Sequence, residues 1–160
     1  MPRLPTVATI GYEGATVEGF LDALRRAGVD LLVDVRAVAS SRRPGFAKTR
    51  LAANLATADV AYLHLRALGT PADGRAAARA GRHDELRRVF AEHLASDAAQ
   101  EALAHLAALV ADEGRRVCLL CLEADPAHCH RLLVADALAA RVDAAVAHLH
   151  PVDADGPAVD

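Results

Sequence analysis

Residues 117–131 read VCLLCLEADPAHCHR and bring together Cys118, Cys121, Glu123, His128, Cys129, His130 and Arg131. A thiol becomes a nucleophile once deprotonated, a carboxylate or imidazole can move its proton, and a guanidinium can hold an anion. The apolar run Val117–Leu122 reads as a buried strand. Asp125-Pro126 then reads as a helix start, with Asp as N-cap and Pro in the first helical position. The stretch therefore predicts strand, tight turn and helix, with His128, Cys129 and His130 in the helix's first turn. Free N–H groups and the positive dipole end collect there, which favours a thiolate and suits phosphate, carboxylate or a sulfur oxyanion.

Other chemistries for the same residues are weaker. Cys118 and Cys121 resemble a Cys-x-x-Cys pair, but odd spacing on a strand sends them to opposite faces, so Cys118 is expected in the core. Cys121, Glu123, His128, Cys129 and His130 offer enough donors for zinc, yet their spacing matches none of the common zinc motifs. Adjacent Cys129 and His130 would also point about 100° apart on a helix. Zinc stays the competing possibility; the expectation is no metal and no cofactor. A phosphatase-type Cys-x5-Arg loop is missing, because the sixth residue after Cys121 is Ala127 and after Cys129 is Ala135. A rhodanese-type thiol loop lacks its compact turn.

The elements that must position these groups follow in order. Thr6–Ile10 is a β-branched strand ending in Gly11-Tyr12-Glu13-Gly14, and Thr16 caps a helix that Gly28 closes. Leu31–Val35 is a second strand, apolar on both faces as parallel strands are. Residues 36–48 form a polar loop, 51–57 a short helix, 60–64 a third strand, and 66–82 a long Gly/Arg/Ala loop. Residues 84–113 carry helical periodicity broken near Ser96-Asp97, which predicts two helices. Residues 144–149 make a fifth strand.

Alternating strands and helices predict a three-layer α/β/α fold with a mostly parallel five-stranded sheet. Ligands in such sheets bind beyond the carboxyl ends of the strands, at the topological switch point. Tyr12 and Glu13 follow strand one, Asp34 and Arg36 close strand two, and Cys121 and Glu123 close strand four. For these ends to share one site, strands one and four must be neighbours, and the Rossmann-like order 3-2-1-4-5 achieves this. Asp34 and Arg36 read either as part of the site or as an internal ion pair bracing the loop. Two arginine-bearing loops, one with Arg42, Arg43 and Lys48 and one with Arg75, Arg79 and Arg82, read as solvated surface unless they fold over the crevice.

Composition sets outer bounds. A chain of 160 residues fits one domain, expected over 1–150, with 151–160 a flexible tail. A hydrophobic content of 53% excludes a disordered chain, and a net charge of −3 gives no global basic field for nucleic acid or membrane. No signal peptide or membrane span is evident, and three cysteines are few and odd in number, so the expected compartment is the cytoplasm.

Thr9-Ile10-Gly11-Tyr12, Asp34-Val35-Arg36, Ser41-Arg42-Arg43-Pro44-Gly45-Phe46 with Lys48, Tyr62 with His64, Leu68-Gly69, and Cys121-Leu122-Glu123 followed by Cys129-His130-Arg131 together resemble the prokaryotic family catalogued as domain of unknown function 488. The resemblance covers nearly the whole chain and implies a compact α/β fold in a cytoplasmic prokaryotic protein, without an activity. Ala39 stands where relatives often have proline, and His93 where tyrosine is frequent.

The sequence thus points to an enzyme-like site for a small anionic, phosphate-bearing substrate such as a nucleotide. Cys121 or Cys129 would be the thiol and Glu123 or His130 the acid/base. Tyr12, Asp34, Arg36, Ser41, Arg42 and Arg131 would bind substrate, with Arg36, Arg42 and Arg131 as anion clamps. The alternative is a non-catalytic module binding nucleotide or nucleic acid through the arginine loops.

Overall fold

A computed structural model describes residues 5–151. The expected tail thus lies, beyond Pro151, outside the described residues. Five strands, β1 (Thr6–Gly11), β2 (Leu31–Asp34), β3 (Ala61–His64), β4 (Val117–Cys121) and β5 (Ala145–Leu149), form one all-parallel sheet. The helices are α1 (Val17–Arg26), α2 (Lys48–Ala56), α3 (Ala72–Arg79), α4 (His83–Leu94), α5 (Asp97–Ala111) and α6 (Arg131–Val142). None is long and apolar enough to cross a membrane.

Two apolar cores flank the sheet, giving the three-layer α/β/α arrangement. Ala8, Ile10, Leu32, Cys118 and Leu120 meet α1 and α2 on one face. Val7, Leu31, Val33, Val117 and Leu119 meet Phe90 and the apolar stripes of α5 and α6 on the other. Helix ends follow local chemistry. The Thr16 hydroxyl accepts from Gly19 N at 3.0 Å, Gly28 takes φ +70° after α1, and the Ser96 hydroxyl accepts from Ala99 N at the start of α5.

Two expectations need correction. The strand order is 3-2-4-1-5, not 3-2-1-4-5. Strands β3 and β5 are the half-buried edges, but β1, β2 and β4 are almost equally buried on both faces, so hydropathy alone does not order them. The neighbours β1 and β4 survive the correction. Their connections leave toward opposite faces, β1 into α1 and β4 into α6, so the switch-point crevice still opens between their carboxyl ends. Residues 66–82, expected as a loop, instead form a 3-10 turn at Arg66–Leu68 and then α3. The alanines of ADGRAAAR favour helix. Gly74 is buried in α3, where a Cβ would collide with the Thr70 side chain, so it marks close packing and not a break.

A thiol–imidazole pocket at the switch point

The carboxyl ends of β1 and β4 are stitched together. Gly11 pairs with Cys121 in register, Tyr12 N–H donates to the Cys121 carbonyl at 3.3 Å, and Glu13 N–H donates to the Leu122 carbonyl at 2.8 Å. Gly11 has to lack a side chain, because a Cβ there would run into the Glu123 carbonyl. The Glu13 carboxylate accepts from Ala124 N–H at 3.1 Å and holds the turn from the other side.

After β4 the chain does not enter the helix at Pro126 as expected. Asp125 caps only a short 3-10 turn, Pro126–His128, accepting from Ala127 N–H at 2.9 Å. Cys129 then swings into extended conformation (φ −135°, ψ 147°), and α6 begins at Arg131 with His130 as N-cap. This break matters chemically. With Cys129 off the helix, the angular separation expected of consecutive helical residues no longer applies, and Cys129 and His130 face one point.

At that point the Cys121 and Cys129 sulfurs are in bonding contact as a disulfide, with Cα atoms 7.0 Å apart. His130 Nδ1 lies 3.7 Å from Cys121 Sγ and 3.8 Å from Cys129 Sγ. The other ring nitrogen, Nε2, donates to the Val35 carbonyl at 2.7 Å. A carbonyl only accepts, so this bond fixes the proton on Nε2 and leaves the Nδ1 lone pair toward the sulfurs. Burial lowers the His130 pKa to about 4, so the ring is neutral at pH 7. The Phe90 ring packs against it at 5.1 Å.

The two sulfurs differ in their other neighbours. Cys129 Sγ faces the first backbone N–H of α6, Arg131 N, at 3.5 Å, which favours a thiolate. Cys121 Sγ lies 3.3 Å from Glu123 Oε2. Burial, then the nearby Glu13 charge, raises the Glu123 pKa above the ordinary carboxylate value. Cys121 Sγ, Cys129 Sγ and His130 Nδ1 all lie within 4.8 Å of one another, a donor set of the kind zinc takes. A bonded sulfur pair offers no thiolate, so disulfide and metal are mutually exclusive occupants of this geometry. Cys118, as expected, is in the core on the opposite face; burial raises its pKa.

The expected anion clamps are otherwise engaged. Arg36 grips Asp34 with two bonds, Nε to Oδ1 at 2.9 Å and Nη2 to Oδ2 at 2.7 Å, and Nη1 donates to the Phe46 carbonyl at 2.8 Å and to Tyr12 Oη at 3.3 Å. Tyr62 donates to Asp34 Oδ2 at 2.6 Å. Asp34 is 0% and Arg36 6% exposed. Burial works to lower the Arg36 pKa, but hydrogen bonding to and the charge of Asp34 outweigh it and raise it. The two form a buried internal ion pair, and Arg36 also lines the crevice, as does Tyr12. Arg131 is fully buried. Its Nε donates to Thr9 Oγ1 at 3.1 Å, Nη2 to the Ala124 carbonyl at 3.2 Å, and Nη1 to the Glu123 carbonyl. Thr9 in turn bonds His148 Nδ1 at 2.6 Å. Arg131 thus clasps the turn from beneath. Ser41 accepts from Arg43 N–H at 3.1 Å, Arg42 is exposed, and neither lines the crevice. His93 Nε2 donates to the Ala67 carbonyl at 2.7 Å.

The disulfide and His130 form part of the lining of a cavity of about 420 Å³. Glu13 and Glu123 line it, as do Arg75 and Arg79 of α3. Thr70 also lines it, and its buried hydroxyl has no hydrogen-bond partner among the described residues. Val38 (52% exposed) and Leu122 (44% exposed), the two exposed large apolar side chains among the described residues, both line the same cavity. A second cavity of about 480 Å³ lies at the amino ends of the strands, lined by Thr6, Val29 and Arg116 among others, without thiol, imidazole or carboxylate among the described residues. Sequence reasoning missed Thr70 and the placement of Arg75 and Arg79 because it read α3 as a loop. The four-residue spacing of the two arginines in an alanine-rich segment was the available signal, since i and i+4 share a helix face.

Fold and pocket together define a parallel α/β protein with a thiol–imidazole cluster at its switch point. The chain belongs to the family described as Domain of unknown function DUF488, whose model matches residues 16–138. No curated protein and no solved structure matches it.

Proposed function

We propose that the protein is a thiol-dependent enzyme acting on a small anionic substrate held in the switch-point cavity. The observation that carries this reading is the convergence of two cysteine sulfurs on the Nδ1 lone pair of a tautomer-fixed imidazole, beside an open cavity. Cys129 is the nucleophile, because the α6 N-terminal N–H favours its thiolate. His130 orients the reduced thiols as a hydrogen-bond acceptor but is too weakly basic to hold a proton at pH 7. Glu123 is better matched to proton transfer, since its pKa is raised. Arg75 and Arg79 take over the anion-binding role first assigned to Arg36, Arg42 and Arg131, and Val38 and Leu122 receive the apolar part of the substrate. A cavity of about 420 Å³ admits a metabolite-sized molecule.

The test is alkylation of the reduced protein. Iodoacetamide should label Cys129 faster than a model thiol at neutral pH, and inorganic phosphate or a small dicarboxylate should slow that labelling. Labelling of neither Cys121 nor Cys129 above the model rate removes the nucleophile. Steeply salt-dependent binding to oligonucleotides, without thiol reactivity, would instead favour the arginine-loop binding module.

A further inference from the structure

We infer that Cys129 and Cys121 are a reversible dithiol–disulfide couple that exchanges with a low-molecular-weight disulfide carrying carboxylates. The inference rests on the thiol-dependent reading above and names its substrate class. Two features of the geometry carry it. The sulfurs are already in bonding contact, so a second thiol stands ready to resolve whatever the first one binds. The two are also unlike. Cys129 has the helix N–H, which suits an attacking and leaving thiolate, and Cys121 has the Glu123 carboxylate, which suits a thiol held protonated until called on.

The Cys129 thiolate attacks one sulfur of the substrate disulfide, that S–S bond breaks, and one substrate thiolate leaves. Cys121 gives its proton to Glu123 and attacks Cys129 Sγ; the mixed disulfide breaks and the second thiolate leaves, collecting the proton from Glu123. The protein dithiol has lost two electrons and the substrate disulfide has gained them. A small dithiol reductant returns the protein to its starting state by the reverse exchange. Arg75 and Arg79 on one wall give the preference for carboxylate-bearing substrates.

The test uses the full chain with Cys118→Ala as background, reduced, desalted and mixed with glutathione disulfide or with neutral hydroxyethyl disulfide. Mass spectrometry with peptide mapping should show Cys121 linked to Cys129 and two substrate thiols released per chain. In Cys121→Ser the reaction should stop at one glutathionyl group on Cys129. Glutathione disulfide should react about five- to tenfold faster than the neutral disulfide, once each rate is divided by that with a free dithiol, and Arg75→Ala with Arg79→Ala should erase that ratio. Should Cys129 alkylate rapidly while no Cys121–Cys129 link ever forms, the couple is wrong and the thiol-dependent reading survives. Absence of rapid alkylation overturns both. One tightly held zinc per purified chain, protecting both thiols until chelated, overturns the couple in favour of a metal site.

Discussion

The polar cluster at the end of β2 and the one at the end of β4 sit on adjacent strands, and both are buried. They differ in how far their bonding capacity is used. Around Asp34, the Arg36 guanidinium, the Tyr62 hydroxyl and the Arg36 backbone N–H all find partners within the cluster. Around Cys121 and Cys129, His130 offers a lone pair with no hydrogen donor fixed on it, and the group borders open space. Two adjacent strand ends thus carry one cluster whose bonding is closed on itself and one whose bonding is left open beside a cavity. Satisfied valence, rather than residue type, separates the two.

The largest expected effect tests the brace. Asp34→Ala leaves a buried guanidinium without its counter-charge and should lower stability by about 3–5 kcal/mol, seen as a lower urea midpoint at unchanged slope. A variant that unfolds at wild-type urea would mean that Arg36 has another anion, and the distinction between the clusters would fail. Next is pH. His130 has a folded pKa of about 4 against about 6.5 in the unfolded chain, so the unfolded state binds the extra proton between those values. Stability from this group is complete above pH 6.5 and is lost as pH falls toward 4, by about 3 kcal/mol at most. His130→Gln should flatten that part of the wild-type stability–pH curve; an unchanged curve would place the imidazole in solvent.

Arg131→Met should cost about 1–3 kcal/mol, because Thr9 and the Glu123 and Ala124 carbonyls lose their donor. Since Arg131 supports the turn from beneath, the variant should also slow Cys129 alkylation, whereas Arg131 as a substrate clamp would leave stability unmoved. The smallest effect belongs to Cys118→Ala, about 1 kcal/mol with alkylation of Cys129 unaltered. A change in Cys129 reactivity would break the assignment of Cys118 to the opposite face.

Much of this was legible in the sequence, and the parts that were not share a cause. Strand identities, the helices other than α3, the Thr16 cap and the core position of Cys118 follow from periodicity and local capping, and the adjacency of β1 and β4 follows from the polar residues that close both strands. The order of β2, β4 and β1 does not, because three equally buried strands carry no polarity to rank them. The convergence of Cys121, Cys129 and His130 was hidden by the 3-10 break at Cys129. Asp125-Pro126 starts a helical turn there just as it would start α6, and nothing local to the sequence says that the turn stops after His128. Arg131 looked like a ligand group because its partners, Thr9 and two main-chain carbonyls, come together only in the folded chain.

The pairing of β1 with β4 and β5 alone sets a temporal order on folding. The strand made early in synthesis has no neighbour until residues 117–121 and 145–149 have been made. Gly11 therefore meets the Glu123 carbonyl, and Thr9 meets Arg131, only late in folding. Cys121 and Cys129, eight residues apart, can meet in a local loop that needs neither of these long-range contacts. Contacts so distant along the chain slow the closing of a parallel sheet. The meeting of the two sulfurs is therefore a local event in the chain, whereas the cavity beside them depends on the long-range pairing of β1 with β4.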